Sequence, residues 1–334
     1  MIFRTFPKTL IALFCLGLFI APQGAHSQTQ VPKLKIGTLG APSTSVWMVS
    51  ALVAKRFDLK NGIDIQWVEQ PTTAAVYNDF AAGSYQVATG GVISYANQYA
   101  RGVKSKLFAT YQIFGTSVIV HTERGHGINA PKDLNGKEIA APLASENTKA
   151  MEIYLKWEGV DVKSLKIKNF EQPGVVAELK SPTGSAVAGI VFSQVPTRLV
   201  LDEPKKFKDL ISADDLDAMW KQKTGTEHHW LLGWAVHEEF ARDNRELLQR
   251  THNAMKETID WVSKNQEEAL EIVAKKTKES VPVLRETIKA KRVRFQQLTA
   301  ESQEKALMAL FKLGVESGMI AKLPDENFFY RGLK

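Results

Sequence analysis

Apolar and polar positions divide the chain into three regimes. The first is a continuous apolar run, Leu10–Ile20, preceded by the basic residues Arg4 and Lys8 and followed by small residues at Ala25-His26-Ser27. The run is about eleven residues long, roughly half of what a helix needs to cross the ~30 Å hydrocarbon core of a bilayer. Basic, apolar, then small is the order of a secretory signal peptide, 1–27, with cleavage expected after Ser27. Retention as an N-terminal anchor is the alternative.

The second regime alternates strand and helix. Leu34–Leu39 switches between apolar and polar like a short strand, and Val46, Val49, Val53 and Phe57 recur on one helical face. Asn61-Gly62 closes that unit. Ile63–Glu69, Tyr85–Thr89 and Leu107–Ile113 read as further strands, with helices over Thr73–Ala82 and Val92–Ala100. Thr116–His121 is β-branched and apolar, as a segment crossing to a second half would be. The alternation then restarts: strands at Lys137–Ala141, Leu165–Phe170 and Ala186–Phe192, helices over Asn147–Glu158 and after Gln194, and an apolar run at Trp230–Val236 that crosses back. Repeated strand-helix units with short joints predict parallel, helix-covered sheets.

The third regime is helical throughout. Leu247, Leu248, Thr251, Ala254, Met255, Thr258, Ile259 and Val262 form one stripe, with Asp243 or Asn244 as its cap. Ala269–Val273, Val281–Ile288 and Ala306–Leu313 extend the helical reading to the tail.

Composition narrows the function. Removal of the leader would leave about 307 residues, enough for two lobes with their own cores. The one cysteine, Cys15, lies in the apolar run, so the mature chain would have neither disulfides nor thiol chemistry. The net charge is +7, of which Arg4 and Lys8 carry two, and the remaining charges are interspersed. No basic stripe interleaved with aromatics suggests nucleic acid, and no second long apolar run suggests a membrane span. There is neither a phosphate-cradling Gly-Lys-Ser/Thr loop nor a Gly-x-Ser-x-Gly elbow. His228-His229 would point apart on a strand, and His237-Glu238-Glu239 lacks a second histidine, so no metal and no cofactor are expected.

Three loops share one design, each placing small hydroxyl or glycine residues after a strand and at a helix start: Gly40–Ser45, Thr89-Gly90-Gly91 and Ala144–Thr148. Free N–H groups at helix N-termini favour anions. Helix capping alone is the simpler account of any one of them. Three in two similar halves suggest a shared cleft at the carboxyl ends of the strands.

With these residues in hand, the chain resembles the periplasmic substrate-binding proteins of ABC importers, in the type-2 class that includes the aliphatic sulfonate, taurine and nitrate binders. The carrying segments are Leu34–Gly40, Gly83–Gly91 and Pro131-Lys132-Asp133-Leu134-Asn135-Gly136-Lys137, with the Asn147–Gly159 helix and the tail Asn244–Ala274 in matching order. The resemblance implies an α/β fold of two lobes, 33–116 plus 236–334 and 117–235, each a helix-covered, mostly parallel sheet, hinged by two crossing strands. It implies ligand contacts from Ser43, Thr44 and Ser45; Gly90 and Gly91; Ser145, Asn147 and Thr148; and Ser193 with Gln194. It also implies a monomer in the periplasm, no catalysis, and a permease with its ATPase as partners. Many relatives carry a Trp-Glu-Pro-like triplet where this chain has Phe192-Ser193-Gln194-Val195-Pro196. The missing acid argues against taurine, whose ammonium would want a carboxylate. A sulfonate-like organic anion is the leading expectation, with Trp47 or Phe192 available to stack on its tail. A pyrimidine precursor of thiamine or an aromatic acid is the alternative. An enzyme is the third reading, though a desulfinase on a related fold relies on a cysteine.

Overall fold

The computed structural model describes residues 31–334; the leader and its cleavage site lie outside the described residues. The first half runs β1 (Lys33–Leu39), α1 (Ser45–Lys55), α2 (Phe57–Lys60), β2 (Asp64–Gln70), α3 (Thr73–Ala81), β3 (Val87–Gly91), α4 (Val92–Ala100) and β4 (Ser105–Ile113). The second half follows as β5 (Ser117–His121), β6 (Glu138–Ala141), α5 (Glu146–Trp157), β7 (Lys166–Asn169), α6 (Gln172–Lys180), β8 (Ala188–Val191), α7 (Val195–Asp202), β9 (Phe207–Asp209) and α8 (Ala213–Thr224). The chain then returns through β10 (Trp230–His237), and the tail is α9 (Glu238–Asp243), α10 (Arg245–Lys264), α11 (Gln266–Thr277), α12 (Val281–Lys289), β11 (Phe295–Thr299) and α13 (Glu304–Glu316).

Two sheets result. The first has the order β11-β4-β10-β3-β1-β2 and the second β7-β6-β8-β5-β9. Each is parallel where strand-helix units repeat, through β2-β1-β3 and β7-β6-β8. Each turns antiparallel where a strand arrives from the other half: β10 against β3 and β4, and β5 against β8 and β9. The two segments expected to cross are therefore strands seated within one sheet. The first crossing proper is Phe114–Thr116, and Phe114 N donates to His229 O (2.9 Å), so the outgoing and returning chains lie side by side.

The tail is not purely helical. β11 pairs antiparallel with β4 at the edge of the first sheet. The α10 stripe forms as expected: Leu248, Thr251, Ala254, Met255, Thr258 and Ile259 are buried. Thr251 and Thr258 enter the core because their hydroxyls donate to the carbonyls of Leu247 (2.8 Å) and Ala254 (2.7 Å), leaving no unpaired hydroxyl hydrogen. Asn244 stands at the α10 cap position, but its side chain donates to Phe240 O instead of capping. Helix α1 is buried from Ser45 through Leu52 on every face, because the tail helices α10 and α11 cover the side turned away from the sheet.

The crossing is held by close backbone packing. A Cβ on Gly115 would lie 2.7 Å from the carbonyl oxygens of both Lys291 and Arg292. Backbone atoms cannot swing aside as a flexible side chain can. Gly115→Ala is expected to lower stability by about 1–3 kcal/mol, read as a lower urea midpoint with an unchanged slope.

Candidate functional site

The loops predicted to converge do so around one small, partly open cavity of about 30 Å³ between the carboxyl ends of β1 and β3 and the start of α5. Ser43, Thr44, Ser45, Gly90, Ser145 and Asn147 line it, as does Phe192. Gly91, Thr148, Ser193 and Gln194 do not line it, nor does Trp47.

In the first loop the residue at the cap position does not cap α1; only Ser43, one residue earlier, holds an amide of its first turn. Thr44, the residue before α1, already has helical dihedrals and its side chain makes no cap bond. The hydroxyls instead reach β4: Thr44 Oγ1 donates to Gln112 Oε1 (2.6 Å), and Ser45 Oγ pairs with the Tyr111 hydroxyl (2.8 Å). Thr89 Oγ1 donates to the same phenol at 2.5 Å. Ser43 Oγ accepts from Ser45 N (3.2 Å). Burial pushes the Tyr111 phenol up to about 12, so at neutral pH it is an uncharged hydrogen-bonding group.

The second loop has its amides occupied. Gly91 N donates to the Tyr77 hydroxyl (2.8 Å), and Ile93 N and Ser94 N donate to the Glu146 carboxylate. In the third loop Ser145 caps α5 by accepting from Asn147 N (3.2 Å), and Thr116 Oγ1 donates to Asn147 Oδ1 (2.6 Å). Thr148 Oγ1 is buried without a partner among the described residues. At the fourth position Ser193 has a left-handed backbone (φ 61°), and Gln194 Oε1 accepts from Trp47 Nε1 (3.4 Å) and from Ser193 Oγ. Gln194 therefore reaches across to α1, and Ser193 bonds Gln194, rather than either lining the cavity.

Among the lining groups not named as ligand contacts from sequence are Tyr77, Thr89 and Glu146, beside Leu39, Thr73, Val76 and Leu232. Glu146 lies inside the third loop, where only the hydroxyl and amide neighbours carry a helix-start signal. Tyr77 sits on α3 among positions that read as core. Both change the chemistry. Burial raises the Glu146 carboxyl above its ordinary value despite Lys149 nearby, and burial with Glu146 beside it raises the Tyr77 phenol. No lysine or arginine lines the cavity. Its wall thus mixes aliphatic (Leu39, Val76, Leu232), aromatic and hydroxyl groups with one carboxylate.

Among the described residues, no cluster of three or more His, Cys, Asp or Glu is placed to hold a metal ion. The adjacent histidines do face apart: His229 stacks on Trp220 (centroids 4.3 Å apart) and His228 meets the edge of Trp230 (5.5 Å). No described helix is long and apolar enough to cross a membrane. A larger basin of about 650 Å³ lies at the opposite end of β4, lined by charges of both signs such as Lys106, Glu238, Arg242 and Arg331. None of the loops above reaches it.

Residues 54–269 match the sequence profile of the NMT1/THI5-like family. The chain belongs to that family. No curated protein matches it in sequence. Solved structures match over nearly the whole chain at low identity. The periplasmic aliphatic sulphonate-binding protein SsuA of Escherichia coli is 15% identical, with a TM-score of 0.72 over 90% of this chain and 93% of that one. The alkanesulfonate-binding SsuA of Xanthomonas axonopodis pv. citri, bound to MOPS, is 16% identical, with a TM-score of 0.70 over 88% and 94%. The ligand-binding component of an ABC-type import system from Staphylococcus aureus, with zinc bound, is 15% identical, with a TM-score of 0.66 over 90% and 96%. The chain thus has the two-lobed type-2 periplasmic-binding fold. Since one of those proteins is bound to MOPS and another has zinc bound, the fold leaves the ligand to the site.

Proposed function

We propose that the protein is the extracytoplasmic solute-binding component of an ABC importer. It would hold a small organic solute between its two halves and pass it unchanged to a permease coupled to an ATPase. The observation that carries this reading is the convergence of β1–α1, β3–α4 and the start of α5 on one cavity, so that elements from both sheets enclose it. We take the lobes as 33–116 plus 236–334 and 117–235, although β10 (Trp230–His237), most of which lies in the second range, pairs within the first sheet. At about 30 Å³ the cavity is far below the 300–1,000 Å³ of ordinary ligand sites. Loading therefore requires the halves to part and then close over the solute. The signal-peptide pattern at 1–27 suits release into the periplasm, where a monomer is the expected state.

The wall favours a neutral or amino-bearing aromatic heterocycle, such as a 4-aminopyrimidine. Tyr77 and Phe192 offer ring faces and Glu146 offers an acceptor for an amino group. A sulfonate-like anion is the second reading, supported by the hydroxyl and amide groups of Thr44, Ser45 and Asn147 and by the likeness to the sulphonate binders. Thermal unfolding against 4-aminopyrimidines, alkanesulfonates, taurine and nitrate separates them. A true ligand at a hundred times its dissociation constant adds about 2.7 kcal/mol and raises the midpoint by about 5 °C. A response to sulfonates alone selects the second class, and no response to any solute sinks the binding reading.

A further inference from the structure

A carboxylate from the second sheet's half sits on a helix start of the first. Glu146, only 3% exposed, accepts from Ile93 N (2.7 Å), Ser94 N (3.3 Å) and Ser94 Oγ (2.9 Å). These amides belong to the first turn of α4, which lacks a side-chain cap because Gly91 precedes it. The glycine permits the approach: a Cβ there would fall within the Glu146 side chain. Lys149, one turn further along α5, donates from Nζ to Ser94 Oγ (2.9 Å), which steadies the hydroxyl that Glu146 also holds. A helix N-terminus with unpaired amides is where an anionic head group would settle. Here the protein's own anion occupies that place, on the wall of a cavity that no lysine or arginine lines.

We propose that Glu146 sets the charge selectivity of the cleft: in the closed form its carboxylate holds the α4 position that an anionic head group would need, so organic anions are rejected and neutral or cationic solutes are accepted. This rests on the solute-binding reading above. A second anion brought against the first, in a buried site with little screening, is repelled more strongly than in water. Displacing Glu146 instead would leave a buried carboxylate without its three donors.

The test uses ethanesulfonate and 4-aminopyrimidine as probes in chloride-free buffer, titrated calorimetrically into the wild type, Glu146→Ala and Glu146→Gln. The wild type is expected to bind ethanesulfonate weakly or not at all, and Glu146→Ala at least tenfold more tightly, because both the charge and the occupying atoms are gone. Glu146→Gln, which keeps the shape and loses the charge, is expected to fall between and guards against a misfolded alanine variant; circular dichroism checks both. A residue that merely closed the cleft would, on removal, weaken every ligand alike. No gain in ethanesulfonate affinity in either variant, or wild-type affinity equal to theirs, overturns the proposal. The aminopyrimidine arm reports separately: its failure removes the heterocycle as ligand, while the sulfonate arm still decides what Glu146 does.

Discussion

Lowering the pH from 7 to 4 is expected to destabilise the protein by roughly 5 kcal/mol through two buried histidines. Burial, with Arg294 adding, pushes the His229 imidazole down to about 3, and burial with Lys256 nearby pushes His252 down to about 4. In the unfolded chain each titrates near 6.5. Between those values the unfolded chain binds protons that the folded one refuses. Stability is therefore full above about 6.5 and falls as the pH drops, by about 1.4 kcal/mol per pH unit for each histidine. His229 is the stronger case. Its ring lies against Phe114 (4.7 Å) and Trp220 (4.3 Å) and its Nδ1 meets the Tyr154 hydroxyl (2.8 Å), so no water reaches a charge placed there. Glu146 works in the opposite sense: burial raises its carboxyl, so its contribution improves as the pH falls through its folded value. Urea midpoints measured from pH 7 to 4 for the wild type and His229→Phe isolate the histidine, since the carboxylates are common to both. The variant should show about half the slope. Parallel curves would mean that His229 is protonated in the folded state.

The second large effect is expected at Arg292. The segment Lys291–Arg294, from the tail, carries three cations that meet three acids of the second half: Lys291 with Asp214, Arg292 with Asp209, and Arg294 with Asp217 (2.5 Å). Lys291 and Arg294 are partly solvated and contribute modestly. Arg292 is buried and also donates to Thr197 Oγ1 (2.6 Å) and Ser117 Oγ (3.2 Å). Arg292 is the buried partner, whereas Asp209 keeps part of its side chain in solvent, so removing the arginine costs less than the ~3–5 kcal/mol of a fully buried pair. Arg292→Met should lower the urea midpoint accordingly, and Arg292→Met with Asp209→Asn should recover much of the loss. If the double variant is no better than the single one, the effect lies in the packing of the arginine stem and not in the stranded carboxylate.

Most strand-helix units were legible because each carries its own signal over a few residues, but α6 (Gln172–Lys180) and α8 (Ala213–Thr224) were not read. Leu34–Leu39 and Ile63–Glu69 alternate, Asn61-Gly62 and Gly83 stop helices, and the elements fall within one or two residues of those marks. β11 left no such mark: Phe-Gln-Gln-Leu-Thr is an edge strand with one buried residue in five, and its pairing with β4 was decided far along the chain. β9, three residues long, is too short for any period to register. The cavity's hydroxyl residues were visible as helix-start clusters. What those hydroxyls touch was not, since Thr44 with Gln112 and Ser45 with Tyr111 are set by how β1 and β4 lie in one sheet. Glu146 was hidden for the same reason. A carboxylate beside a helix start reads as a favourable first-turn charge for its own helix, whereas its partners lie on another.

The interleaved strand order has a consequence for how the chain acquires its shape. The second sheet draws on strands lying between Ser117 and Asp209, whereas the first needs β10 inserted between β3 and β4, and β11 at its edge, before its order is complete at Thr299. A chain that emerges amino end first would thus have every strand of the inner segment in hand while the outer sheet still lacked a central strand. β3 and β4 would meanwhile present unpaired edges to the surroundings. Local pairings form faster than those joining distant residues. The inner segment is therefore free to finish first, and the late arrival of β10 and β11 makes the outer sheet the slow, aggregation-exposed step of maturation.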